Sequence, residues 1–246
     1  MNDRPSPRDA IRLALLLALL TAVALARPLL PVDETRYAGV AWEMWVRGDF
    51  LVPFRNGEAY HHKPPLLFWL IHAGWALVGV NDWWPRLISP LFAGGTLLLG
   101  VRLARRLWPQ QPAVAAITPY VLLASLLFAY FATALMFDAM LATATVAGLL
   151  ALVAAGCCWR WRWWAMLGGA MALGVLAKGP VILLHLLPAA LSLPLWAGDD
   201  WQVSWRRTLA GTSLALLTGL AIVGLWLWPA LVIGGPEYRD AVLWKQ

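Results

Sequence analysis

Charge is what this chain lacks most. Only 13% of its 246 residues are charged, with Asp and Glu together numbering 13, while 61% are hydrophobic. A soluble domain carries about 25% charged residues, so an ordinary water-soluble globule is excluded. Cysteine is nearly absent too. Cys157 and Cys158 are the only two, and as neighbours they suit neither a disulfide framework nor a C-x-x-C motif; they read as packing residues. No glycine-rich nucleotide-binding motif, internal repeat, low-complexity segment or separate soluble domain is visible. The formal net charge is +6, yet Lys and Arg form no soluble patch. They lie dispersed at the ends of apolar runs, which argues for topology and against nucleic acid as a partner.

What the chain has in abundance is apolar runs. A hydrocarbon core of about 30 Å needs about 20 apolar residues in a helix. The expected fold class is all-α, a polytopic membrane helical bundle forming one membrane domain over 1–246. Seven transmembrane helices are expected near 11–30, 86–107, 113–133, 138–156, 163–177, 180–197 and 208–229. The first has Arg4, Arg8 and Arg12 before or at its start as a signal peptide would, but it is too long for an h-region and lacks a small-residue cleavage site. It reads as a retained helix. Arginines also cluster in alternate loops, at Arg102, Arg105 and Arg106, at Arg160 and Arg162, and at Arg206 and Arg207. The positive-inside rule then puts the N-terminus in the cytoplasm.

This leaves an outer loop, 31–85, that is unlike the rest. It opens with "VDETRYAGVAWEMWVRGDFLVPFRNGEAYHHKPPLLFW", Val32 to Trp69. Tyr37, Val40, Ala41, Met44 and Trp45 follow helical spacing, with Arg36, Glu43 and Arg47 opposite, so an amphipathic interfacial helix is expected there. Leu66 to Val80 is short for a bilayer. Counting it as a span would also invert every later arginine cluster, so it reads as a second interfacial or re-entrant helix started by Pro64 and Pro65. The topology brings Asp138, Lys178 and the terminal Glu237, Arg239, Asp240 and Lys245 to the same outer face. The many tryptophans fall near predicted span ends, as an interfacial belt does.

Ionisable groups at membrane depth are functional candidates by default. Asp33 stands where a span meets an interfacial helix, and reads as a helix N-cap, a catalytic carboxylate or both. Glu34 suits a first helical turn or a direct role. Asp138, in "ALMFDAML", has no other charge nearby. Lys63, in "HHKPP", suits a phosphate as a compact point charge, with a snorkelling interfacial lysine as the plainer reading. Lys178, in "LAKGP", is the only cation in its loop. Arg36 joins these lysines as a candidate phosphate cation. His61 and His62 could ligate a divalent metal with nearby carboxylates, although adjacent histidines fit ordinary hydrogen bonding as well.

Taken in order, "DETRYAGVAWEM", "GDFLVPFRNGEAYHHKPPLLFWL", "PRLISPLFAG", "FDAML" and "LAKGP" resemble the membrane glycosyltransferases of the GT-C superfamily. The nearest branch is the bacterial aminoarabinose transferases and relatives of protein O-mannosyltransferases. The D-E-x-x-Y and Y-x-x-K-P-P pair is the more specific part. The resemblance implies an enzyme that moves a sugar from a polyprenyl-phosphate donor to a lipid A, glycan or protein acceptor at the periplasmic face of the inner membrane. It implies Asp33, Asp138 and Glu34 as acidic residues of the catalytic cavity, and Lys63, Lys178 and Arg36 at the lipid phosphate. A carboxylate would take the acceptor proton, and cations would stabilise the departing phosphate. No cofactor is implied beyond a divalent metal in the aminoarabinose branch. That branch has Glu before the lysine of the KP motif as a metal ligand, and here His62 holds the position. Full-length members are longer, so the resemblance also implies a truncated form or a fragment. A non-catalytic lipid-binding or assembly subunit with the same half-fold is the competing expectation. A small transporter fits less well, since charges in mid-span and repeated halves are both missing.

Overall fold

A computed structural model of the chain describes residues 7–244. Arg4, Lys245 and the Arg8 side chain, which entered the charge and topology arguments, lie outside the described residues. Among the described residues are twelve helices and one small hairpin. Four helices are long and apolar enough to cross a membrane: α1 (Pro7–Ala26), α4 (Trp83–Leu107), α7 (Asp138–Cys157) and α11 (Trp205–Ile233). α8 (Trp161–Lys178) lies between α7 and α11 and packs along both.

Two of the expected spans are each broken in two. α5 (Pro112–Ala124) stops at Ser125, whose extended backbone leads into α6 (Leu126–Phe131). α9 (Val181–Leu191) gives way at Ser192 to α10 (Leu193–Trp196). Pro194 lies in the first turn of α10. Its ring has no amide hydrogen to continue a helix from α9, which accounts for this second break.

The α8–α11 contact depends on small residues. A methyl group at Gly168 would collide with the backbone carbonyl of Ala215, and one at Gly211 would enter the ring of the fully buried Trp164. Gly211, Ala215 and Gly219 thus form a smooth stripe on which α8 rests. In lipid, where no hydrophobic force drives helices together, such close backbone approach is a main source of packing energy.

The charged loop folds onto one end of this bundle. In α2 (Asp33–Arg47), Tyr37, Val40, Ala41 and Met44 are all buried, on the face its periodicity marks. Gly48, with φ of 68°, ends the helix by turning its N–H back to Trp45 O. α3 (Leu66–Val78) is pinned to α2 by the ring of His72, whose Nε2 lies 2.8 Å from Ala41 O. Between them, β1 (Phe54–Arg55) and β2 (Glu58–Ala59) pair antiparallel around Asn56 and Gly57. Both turn residues have positive φ, 54° and 85°, as a type I′ turn requires.

Several tryptophans do more than mark an interface. The indole N–H groups of Trp69, Trp84 and Trp226 donate to the carbonyls of Phe50, Leu70 and Leu51, at 2.6, 3.0 and 3.1 Å. They tie the loop to itself and to α11. The last element, α12 (Gly235–Trp244), follows α11 at the same end, and its Tyr238 packs in a cluster with Val52 and Trp226.

Candidate functional site

Helix length places the first pair of site residues. α7 has 20 residues and α8 has 18, so at about 1.5 Å per residue they are nearly equal in length. As antiparallel neighbours they bring the first residue of α7, Asp138, beside the last residue of α8, Lys178. Each charge complements its helix dipole, anion at an N-terminus and cation at a C-terminus. Lys178 Nζ donates to Asp138 Oδ1 at 2.5 Å. Gly179, with φ of 82°, ends α8 directly after the lysine.

The second pair comes from α2. Asp33 is the first residue of the helix, not its cap. Val32 holds the cap position, and no side-chain cap bond forms there. The Asp33 carboxylate is paired instead with Arg36 one turn on. The Arg36 guanidinium also lies 5.1 Å over the Tyr37 ring and donates to its hydroxyl at 3.3 Å.

Lys63 completes the cluster from the segment before α3. Its ammonium lies 5.7 Å over the ring of Phe137, the residue preceding Asp138. Among the described residues no carboxylate pairs with it. Burial pulls its pKa below the ordinary lysine value of 10.5. The Lys178 charge acts the same way, and Asp138 and Asp33 only partly offset the two. A cleft of about 530 Å³ opens here, lined by Arg36, Tyr60, His62, Lys63 and Lys178 among others. Beneath it Tyr37, Phe68 and Phe137 meet edge to face, with Phe137 centroids 4.8 and 5.9 Å from the other two.

An apolar path leads out of this cleft. A second hollow of about 280 Å³ shares Lys63, Pro64, Gly179 and Pro180 with it. A third, of about 340 Å³, shares Val175, Pro180 and Val223 with the second and runs between α8, α9 and α11. The cations therefore stand at the head of a hydrophobic groove.

Glu34 has a different environment. It is 2% exposed, and four donors surround its two oxygens. Arg27 Nη1 and Nη2 reach it at 2.8 and 2.7 Å, and the amides of Leu30 and Leu135 at 2.7 and 2.8 Å. Burial pushes this carboxyl up, but the Arg27 hydrogen bonds and the two amides outweigh it and hold the group below its ordinary 4.5. With Arg27 also donating to Thr133 O at 3.0 Å, Glu34 staples α1, α2 and the segment leading to Asp138.

His62 lies 5.4 Å from the Tyr60 ring and 4.2 Å from the His61 ring. Among the described residues no three His, Cys, Asp or Glu side chains are grouped to hold a metal ion. The residues present do not fit such a centre. Two contributors, Arg27 and Tyr60, carry little local signal in the sequence. Arg27 was signalled only by being a lone cation at the end of an apolar run. Tyr60 lies inside the Y-x-x-K-P-P motif, and only the motif marks it.

Four helices of membrane-spanning length, packed with shorter apolar helices under a charged cleft, define a polytopic helical membrane protein. The chain belongs to the dolichyl-phosphate-mannose-protein mannosyltransferase family, whose sequence model matches residues 62–228. It is 32% identical over 223 residues to the undecaprenyl phosphate-alpha-4-amino-4-deoxy-L-arabinose arabinosyl transferase of Pseudomonas paraeruginosa, covering 87% of this chain and 37% of that protein. A second such transferase, from Pseudomonas fluorescens, is 31% identical over 244 residues, covering 94% and 43%. The fold is similar to crystal structures of ArnT from Cupriavidus metallidurans, both in the apo state and bound to undecaprenyl phosphate. Each has a TM-score of 0.79 and 26% identity, over 96% of this chain and 44% of that one. The chain spans about two-fifths of the length of the curated relatives it matches.

Proposed function

We propose that this chain carries the donor site and catalytic carboxylates of a bacterial inner-membrane glycosyltransferase. The reaction moves a sugar from a polyprenyl phosphate to a lipid, glycan or protein acceptor. In this reading the charged loop and cleft face the periplasm and the N-terminus lies in the cytoplasm. The broken pairs α5–α6 and α9–α10 each cross the membrane once, which brings the crossings to seven.

The observation that carries the proposal is the convergence of Lys63, Lys178 and Arg36 on one cleft at the head of the groove between α8, α9 and α11. That arrangement suits a ligand with a phosphate head and a long apolar tail. The three cations would hold the phosphate and stabilise the charge that grows on it as it leaves. Asp33 or Asp138 would take the proton of the acceptor hydroxyl. The acceptor oxygen then bonds to the anomeric carbon, while the electron pair of the old carbon–oxygen bond stays with the phosphate.

Undecaprenyl phosphate is the probe to use. Lys63→Ala should weaken its binding by about one to two decades, the value of a buried charge-assisted contact. Lys63→Arg should restore only part of it. Unchanged binding in a folded Lys63→Ala variant would remove the lysine from the site, and transfer of a labelled sugar would distinguish an enzyme from a lipid-binding subunit.

A further inference from the structure

Each of the two candidate bases is already engaged by a cation assigned to the donor phosphate. Asp138 accepts from Lys178 at 2.5 Å, and Asp33 is paired with Arg36. Lys63 instead faces an aromatic ring. A carboxylate oxygen that already accepts from an ammonium at this distance is occupied, and an acceptor hydroxyl reaches it only by displacing the cation. The Lys178–Asp138 pair is also within reach of a ligand, since the two side chains are 32% and 22% exposed and Lys178 lines the cleft itself.

Resting on the donor reading above, the geometry points to a cation exchange in which the donor phosphate takes Lys178 away from Asp138 and so frees that carboxylate for the acceptor. Lys63 holds the phosphate from the outset, and Lys178 moves to it. A sugar-bearing phosphodiester carries one negative charge, and the departing monoester gains a second one near neutral pH. The pull on Lys178 is therefore strongest as the anomeric carbon–oxygen bond breaks, when Asp138 must receive the acceptor proton. Lys178 contacts the base first and the substrate phosphate second in this scheme. It ties the availability of the base to the charge on the leaving group, and it keeps the carboxylate occupied until a donor arrives.

A zero-length carbodiimide cross-link reads the exchange directly. In the purified full chain, carbodiimide should join Lys178 to Asp138, a product measured as the mass of the linked peptides. Saturating undecaprenyl phosphate, with binding measured in parallel, should reduce the yield by about tenfold, the weight of one charge-assisted contact. An undiminished cross-link with lipid bound overturns the exchange and leaves the donor reading intact. Failure of the lipid to bind overturns the donor reading and the exchange with it. Affinity gives a second readout. Asp138→Asn should tighten undecaprenyl phosphate binding by about tenfold by releasing Lys178, and should tighten it less in a Lys178→Gln background. Tightening that is equal or greater without Lys178 is simple relief of charge repulsion and refutes the exchange.

Discussion

Glu34→Gln should destabilise the fold by about 3–5 kcal/mol, the cost of removing one partner from a buried ion pair. The wild-type carboxylate accepts from four donors: two arms of the Arg27 guanidinium and the amides of Leu30 and Leu135. Gln keeps a single acceptor oxygen and turns an NH₂ group toward two of those donors. Each buried donor left without an acceptor costs about 1–3 kcal/mol, and Arg27 also loses its counter-charge. The neighbouring Asp33→Asn makes the control. Asp33 keeps 49% of its side-chain exposure in its pair with Arg36, and a surface pair is worth about 0–1 kcal/mol. Reversible unfolding in mixed micelles, followed by tryptophan fluorescence, measures both variants. Arg27→Gln added to Glu34→Gln should cost less than it does alone, because the partners share one interaction. Stability within 1 kcal/mol of wild type for Glu34→Gln would refute the staple. The same pair sets an acid limit. The folded-state pKa of Glu34 lies below its ordinary 4.5, so its contribution is complete above that value and is lost as pH falls through the lowered one.

Asp33→Asn and Asp138→Asn should each fold and bind polyprenyl phosphate while losing about 10²–10⁴ in transfer rate, if the replaced carboxylate is the general base; near-normal turnover in either clears that residue of the role. Because the Lys63 pKa is pulled below 10.5, donor affinity should fall on the alkaline side before an ordinary lysine would titrate. Lys63→Arg should abolish that limb, and a flat wild-type profile up to pH 10.5 would count against it. In a background without Cys157 and Cys158, an impermeant thiol reagent applied to the periplasmic side should label Glu58→Cys and spare Gln110→Cys, both exposed positions. The reverse pattern would invert the topology.

The helical membrane class was legible because apolar runs long enough to span are hard to mistake. α2 was legible because Tyr37, Val40, Ala41 and Met44 repeat with helical period and are its buried apolar residues. The hairpin was not. Two-residue strands offer no alternation to detect, and only Asn56-Gly57 announced the turn. The breaks at Ser125 and Ser192 were also hidden, since apolar composition continues across them. At the site, topology could bring Asp138 and Lys178 to one face, but not to 2.5 Å, which depends on how α7 and α8 pack. The surroundings of Glu34 were hidden for a related reason. Its partners include an amide 101 residues further along, at Leu135, and no local pattern registers a contact of that range.

The near-equal lengths of α7 and α8 make that hairpin a ruler with its zero at the opposite end of the bundle. Losing one residue from the interior of either helix would draw its terminal charge back by about 1.5 Å and swing it through about 100°. Either displacement is enough to part an ammonium from a carboxylate. Changes of length in the 158–160 connection, at the other end, would leave the helix ends in place. The spacing from Asp138 to Lys178 should therefore resist insertion and deletion far more strongly than it resists substitution, except within that three-residue bend.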